Sequence, residues 1–219
     1  MEVLFMNEAI NDFKQQLLQL APVHAADFLD GKTALVIVDM VNGFLTQGTM
    51  ASPRCAAVLP AVEALLQFSA ENALACIAFA DCHTPGCTEF STFPPHCISG
   101  TAEAEIAPSL CKIGGFLRIE KNSTNGFLVP AFQEFLQSHP SLTRIIVCGV
   151  CTDICVMQFA LSLKAFCNQT NRTMEVLVPE NTVATYDAPA HNGEMMQTAA
   201  LNIMQQAGIR LVKEVIYHG

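Results

Sequence analysis

From Arg144 to Val156 the chain reads Arg-Ile-Ile-Val-Cys-Gly-Val-Cys-Thr-Asp-Ile-Cys-Val. A short β-branched run is cut by Gly149 and passes into a helical pattern carried by Cys155, Phe159, Leu163 and Phe166. A strand without polar alternation that feeds a helix belongs in a parallel sheet covered on both faces. Open sheets of that kind bind ligands at the carboxyl ends of their strands. The pattern puts Cys155 in the first helical turn, where unpaired N–H groups and the helix dipole favour a thiolate over a thiol. Cysteine is also among the most buried residue types, and Cys148 and Cys151 read as small apolar filler. What sets Cys155 apart is its company elsewhere in the chain.

The same apolar signature recurs. Thr33 to Val38 is a continuous run closed by Asp39, and Leu74 to Ala80 runs into Asp81-Cys82-His83. Phe116 to Glu120 ends on Lys121, and Glu175 to Val178 and Ile209 to Val212 complete the set. Helical patterns alternate with these runs: about 53–70, then from Pro130 to Ser138, then about 191–206 with Gly208 as a left-handed cap. Val41 to Phe44 reads as a loop. Alternation over the whole length predicts an α/β fold: a single-domain three-layer α/β/α structure over residues 31–219, with a mostly parallel six-stranded sheet. Residues 1–30 form an N-terminal helical extension, in which Ala9, Phe13, Leu17, Leu18 and Leu20 fall near one face and Pro22 stops the helix near Ala26.

The 219 residues are 51% hydrophobic and only 14% charged, which leaves a large core and no disordered bulk. A net charge of -9 argues against nucleic acid and anionic membrane surfaces as partners and leaves small molecules as the expected ligands. No apolar run reaches spanning length and no basic-then-apolar leader opens the chain, so a cytoplasmic protein is expected. The ten cysteines lie within strand and helix patterns, as free thiols in a reducing cytosol do.

Chemistry gathers where the strands end. A carboxylate at the rim of a parallel sheet, as at Asp39, is well placed for acid–base work. The segment from Thr84 to Gly100 is a long loop rich in Pro, Gly and Thr, and loops of that length in compact domains are usually functional. Asp81, His83, Glu89 and His96 offer a mixed nitrogen and oxygen donor set suited to zinc, iron or manganese. Asp81 and His83 share a face of extended chain because the strand period is two. A cysteine–histidine zinc finger is the competing reading, but the cysteines lack the paired spacing. Lys121 alone reads as a solvated surface residue.

With an acid, a lysine and a cysteine each at a strand end, the chain resembles the isochorismatase-like cysteine hydrolases and, among them, the nicotinamidases. The resemblance runs from about Ala34 to the C-terminus. Gly149-Val150-Cys151-Thr152-Asp153-Ile154-Cys155-Val156 is similar to the family's Gly-x-x-Thr-Asp-x-Cys-Val signature. Phe93-Pro94-Pro95-His96-Cys97 with Gly100-Thr101 resembles the nicotinamidases in particular, and Asp39-x-x-Asn42-x-Phe44, Tyr186-Asp187 and His191 also match. The resemblance implies Cys155 as nucleophile, Asp39 as general base and later acid, and Lys121 as the third member. It implies one divalent metal ion, zinc first, held by Asp81, His83 and His96, with Glu89 where some members have a third histidine and Cys87 as its competitor. It further implies a cis peptide between Val150 and Cys151, an oxyanion hole from the N–H groups of Cys151 and Cys155, and a substrate pocket formed by Phe44, Phe93, Val150 and Cys151. Cys151, Gly43 and Phe93 depart from the residues common at those positions; Phe93 stands where a tryptophan is common.

The expected activity is hydrolysis of nicotinamide to nicotinate and ammonia through a thioester, as in NAD salvage, in a protein with scope to form a homo-oligomer. The alternative is a relative acting on another small amide, such as pyrazinamide or a ureido compound. Relatives acting on carbamoyl or ureido amides, or on vinyl ethers, generally lack the metal set. A non-catalytic metal-binding protein on the same fold is disfavoured because all three catalytic positions hold competent residue types. A thiol redox protein would need two residues, not three, between Cys151 and Cys155.

Overall fold

The run Thr33–Val38 is buried at every position, as is the stretch from Ile145 to Val150, and the two pair in parallel register with Val38 opposite Gly149. The computed structural model describes residues 2–217, with side chains from residue 10 onward. In chain order its elements begin with α1 (Glu2–Leu18), β1 (Val23–His24), β2 (Thr33–Val38), α2 (Asn42–Leu45), α3 (Pro53–Ala57) and α4 (Leu59–Glu71). Next come β3 (Ala75–Asp81), α5 (Pro108–Ile113), β4 (Leu117–Lys121), α6 (Pro130–Ser138), β5 (Arg144–Val150) and α7 (Met157–Gln169). The chain closes with β6 (Glu175–Pro179), β7 (Val183–Ala184), α8 (Gly193–Gln206), β8 (Arg210–Val212) and β9 (Val215–Ile216).

Six strands follow the order β4-β3-β2-β5-β6-β8, all in parallel, and the short β7 adds a seventh by pairing with the end of β5. From β2 the chain steps outward to β3 and β4, then returns to β5 on the other side of β2 and steps outward again. Strand order therefore reverses between β2 and β5, opening the crevice in which such sheets bind ligands. Pleating sends alternate residues to opposite faces. Leu35, Ile37, Ile146 and Cys148 pack toward Val62, Leu65 and Leu66 of α4 and Leu110 of α5. Val36, Val38, Ile145 and Val147 pack toward Phe132 of α6, Phe159 and Leu163 of α7, and Leu201 and Met204 of α8. The three layers follow from that division, and the α/β/α architecture matches expectation.

Gly149 is needed where it stands. Its φ is +113°, and a Cβ there would lie 2.0 Å from the Val38 carbonyl oxygen. The close approach brings the ends of β2 and β5 together.

Several short elements differ from the sequence expectation. β7 was not anticipated, nor was the separate parallel pairing of β1 with β9, which ties residues 23–24 to the C-terminal end. Val41 to Phe44 is not plain loop: Asn42–Leu45 forms one helical turn. Helix α1 stops at Leu18, short of Pro22 and Ala26, because the chain turns there into β1. Leu18 is 62% exposed rather than packed, Phe13, Leu17 and Leu20 are partly buried, and the side chain of Ala9 lies outside the described residues. Among the described residues, no helix is long and apolar enough to cross a membrane.

Candidate active site

Asp39 follows the last residue of β2 and adopts φ +51°, a left-handed conformation that short polar side chains tolerate. Its N–H donates to the Phe79 carbonyl on β3 at 3.1 Å, which fixes the carboxylate at the crevice floor, wholly buried. Lys121 ends β4 in register with Asp81 of β3. Far from being solvated, it is buried, because two carboxylates receive its ammonium. Nζ lies 2.8 Å from Asp39 Oδ2 and donates to Asp81 Oδ1 at 2.7 Å. A third contact runs from Nζ to Cys155 Sγ at 3.8 Å.

Cys155 stands in a one-turn π-helix, Thr152–Val156, placed between β5 and α7, and the peptide bond between Val150 and Cys151 is cis. Single π turns often occur at functional sites. The sequence pattern put Cys155 in an α-helical first turn with a dipole-stabilised thiolate; the electrostatics differ. Burial pushes the Cys155 thiol well up and Lys121 only partly opposes it, while Asp39 and Asp81 push it further in the same direction. The resting sulfur is therefore a thiol beside a proton acceptor. Burial also lifts the Asp39 carboxyl to about 7 against the pull of Lys121. For Lys121 the order is reversed: burial favours the neutral amine, yet Asp39, Cys155 and Asp81 outweigh it and keep the ammonium charged.

Beside this triad the loop after β3 folds back, with His83 N–H donating to the Cys97 carbonyl and Ser99 N–H to that of His83. That return brings His96 next to His83, their ring centroids 4.7 Å apart. His83 Nε2 and His96 Nε2 face Asp81 Oδ2 at 2.9 and 3.0 Å, and Glu89 Oε1 lies 3.7 Å from His83 Nε2. One donor atom from each of Asp81, His83, Glu89 and His96 lies within 4.8 Å of the other three. With metal–nitrogen and metal–oxygen bonds of about 2.0–2.2 Å, tetrahedral ligands stand roughly 3.3–3.6 Å apart, so one cation fits with small adjustments. The surrounding groups suit that use. His96 Nδ1 donates to the Pro94 carbonyl at 2.7 Å, leaving Nε2 free to ligate, and the Thr124 N–H donates to Glu89 Oε2 at 3.0 Å. Cys87, the sequence-level competitor of Glu89, faces the other nitrogen, its Sγ 3.5 Å from His83 Nδ1.

A small pocket opens onto both clusters and is lined by Cys155, Cys151, Phe44, Phe93, His96 and Tyr186 among others. Phe44 and Phe93 both approach the His96 ring, with centroids at 5.6 and 6.3 Å. Val150 does not line the pocket: the strand pleat turns its side chain into the core beneath α4. Met50, Thr124 and Ile154, on the other hand, line the cavity without having been singled out from the sequence. Nothing in their local pattern marks them, since distant segments bring them together.

Fold and site define an α/β protein with a buried cysteine, lysine and aspartate at the switch point of a parallel sheet, next to a histidine–carboxylate cluster. Residues 33–212 match the isochorismatase domain model, and the chain belongs to that family. It is 28% identical to Nicotinamidase 1 of Arabidopsis thaliana over 218 residues, covering 86% of this chain and 88% of the relative. Among solved structures it is similar to a nicotinamidase from Bacillus subtilis, with TM-score 0.71 and 23% identity over 83% of this chain and 99% of that one. A pyrazinamidase of Pyrococcus horikoshii in complex with zinc gives TM-score 0.67 and 24% identity over 83% of this chain and 98% of that one.

Proposed function

We propose that this protein is a metal-dependent amidohydrolase that converts nicotinamide and water to nicotinate and ammonia. The reading rests on the Lys121 ammonium, which touches the nucleophile, its proton acceptor and the carboxylate facing both histidines at once. Flat aromatic walls in a small cavity and the likeness to nicotinamidases support the choice of substrate.

Asp39 takes the Cys155 thiol proton, and Lys121 stabilises the charges as they move. Sγ attacks the amide carbon, and the oxyanion accepts hydrogen bonds from the N–H groups of Cys151 and Cys155. Asp39 returns the proton to the amide nitrogen, so the C–N bond breaks and ammonia rather than an amide anion departs. Asp39 then removes a proton from water, which attacks the thioester. The C–S bond breaks, the acid leaves, and Asp39 returns the proton taken from water to the departing sulfur, which restores the thiol. Asp81, His83, Glu89 and His96 would hold a divalent cation, zinc by the likeness above, which when bound supplies a Lewis-acid anchor for the pyridine nitrogen. Ten unpaired cysteines support a reducing, cytoplasmic setting.

The test is ammonia release from nicotinamide, with the acid product identified by mass spectrometry, before and after chelation. Turnover that the chelator abolishes and zinc restores is the expected result. Failure to release ammonia, or full turnover without metal, would overturn the reading.

A further inference from the structure

Three pocket-side residues have no part in the steps above. Asp153, two positions before Cys155 on the π turn, has its Oδ2 2.7 Å from His191 Nε2, and both side chains are largely withdrawn from solvent. His191 Nδ1 faces the Tyr186 carbonyl oxygen at 3.1 Å, so each ring nitrogen has an acceptor. The imidazole lies flat on the Tyr186 ring, centroids 3.9 Å apart and planes 8° from parallel. Tyr186 lines the same cavity as Cys155, Phe44 and Phe93.

The segment that carries the stack is pinned. Ala188 and His191 exchange both backbone hydrogen bonds, Gly193 N–H donates to Asp187 Oδ1 at 2.7 Å, and Arg54 Nε donates to the Thr185 carbonyl at 3.1 Å. A Cβ on Gly193 would lie 2.5 Å from the Tyr186 carbonyl oxygen, so that turn closes only around glycine.

A tyrosine on a connecting segment would ordinarily swing about its first side-chain torsion. A planar ring stacked on it, held in turn at both nitrogens, removes that freedom before a ligand arrives. Because Asp153 and Cys155 share one turn, the position of the Tyr186 ring is referenced to the nucleophile itself. We propose that Tyr186 is the specificity-determining wall of the pocket, selecting flat aromatic amides. His191 and Asp153 are the positioning residues that hold it there through the stack and the buried pair. The inference rests on the amidase reading, which it extends by naming what selects the ring.

Two measurements decide it. In steady-state kinetics, Tyr186→Ala and His191→Ala raise KM for nicotinamide by about tenfold or more, with kcat within about threefold of the parent. His191→Phe, which keeps a stacking ring without the Asp153 contact, recovers part of that loss. A small aliphatic amide, propionamide, loses nothing comparable. Equal losses on both amides, or an unchanged KM for nicotinamide, would overturn the proposal. The second measurement needs no turnover. The chain has no tryptophan and two tyrosines, at 186 and 217, so Tyr217→Phe leaves Tyr186 as the sole emitter. In that background His191→Ala releases the stacked ring and raises emission, and benzamide alters emission while propionamide does not. If the parent releases no ammonia from nicotinamide, the substrate reading fails, yet the emission response still decides the wall. Emission indifferent both to His191→Ala and to benzamide would sink it.

Discussion

In the proposed reaction Cys155 starts as a thiol, a poor nucleophile. Buried among carboxylates and raised well above its usual range, it acts only if Asp39 can accept its proton. Cys155→Ala should therefore abolish turnover while leaving metal content unchanged, as checked by elemental analysis beside the ammonia assay. Asp39→Asn should lower kcat by ~10³-fold or more, because one side chain serves both half-reactions. His96→Ala acts elsewhere: it should reduce bound metal and raise KM for nicotinamide, and unchanged metal stoichiometry would remove His96 from the ligand set. The residues behind these predictions were partly legible. Asp39 and Asp81 announce themselves as polar groups closing apolar runs, and Cys155 as a thiol opening the helix that follows one. Lys121 gains meaning only once β3 and β4 pair in register and set it between two acids. Val150 lies off the cavity because proximity to Cys155 in sequence says nothing about which way the pleat turns a side chain.

At the scale of elements, the long apolar runs were readable because both faces of the sheet are covered and no polar alternation confuses the pattern. Short pieces were not. β7, the α2 turn and the π turn each depend on partners far away in sequence, and two to five residues carry no periodicity of their own. Gly149→Ala tests the tightest junction. A Cβ meeting the Val38 carbonyl, on a backbone that L residues rarely adopt, should cost about 2–4 kcal/mol in chemical denaturation. The opposite end of the sheet gives a pH prediction. Glu175 on β6 accepts from Arg144 Nε at 2.6 Å and Arg210 at 3.0 Å. Burial would raise its carboxyl, but those arginines outweigh it and hold it below the ordinary value of 4.5. A depressed acid contributes stability that is complete above its unfolded value and fades as pH falls through the folded one. Glu175→Gln should thus lower the melting temperature at pH 7 and leave the melting temperatures converging below about pH 4, in calorimetric scans of both proteins.

Taken whole, the molecule places its chemistry where two halves of a sheet part, and that location follows from strand order alone. A cation held by Asp81 at the end of β3 and by His83, Glu89 and His96 on the loop after it would also brace that loop against the body. Chelation should consequently lower the melting temperature by roughly 5–10 °C, with re-addition of zinc restoring it; an unchanged melting curve would mean that the four donors bind nothing tightly. Asp81 carries one more consequence. It offers Oδ1 to Lys121 and Oδ2 to the imidazoles, so a single side chain is wired into both charge clusters. Replacing Asp81 would therefore loosen the histidine cluster and re-tune the sulfur's proton economy at the same stroke.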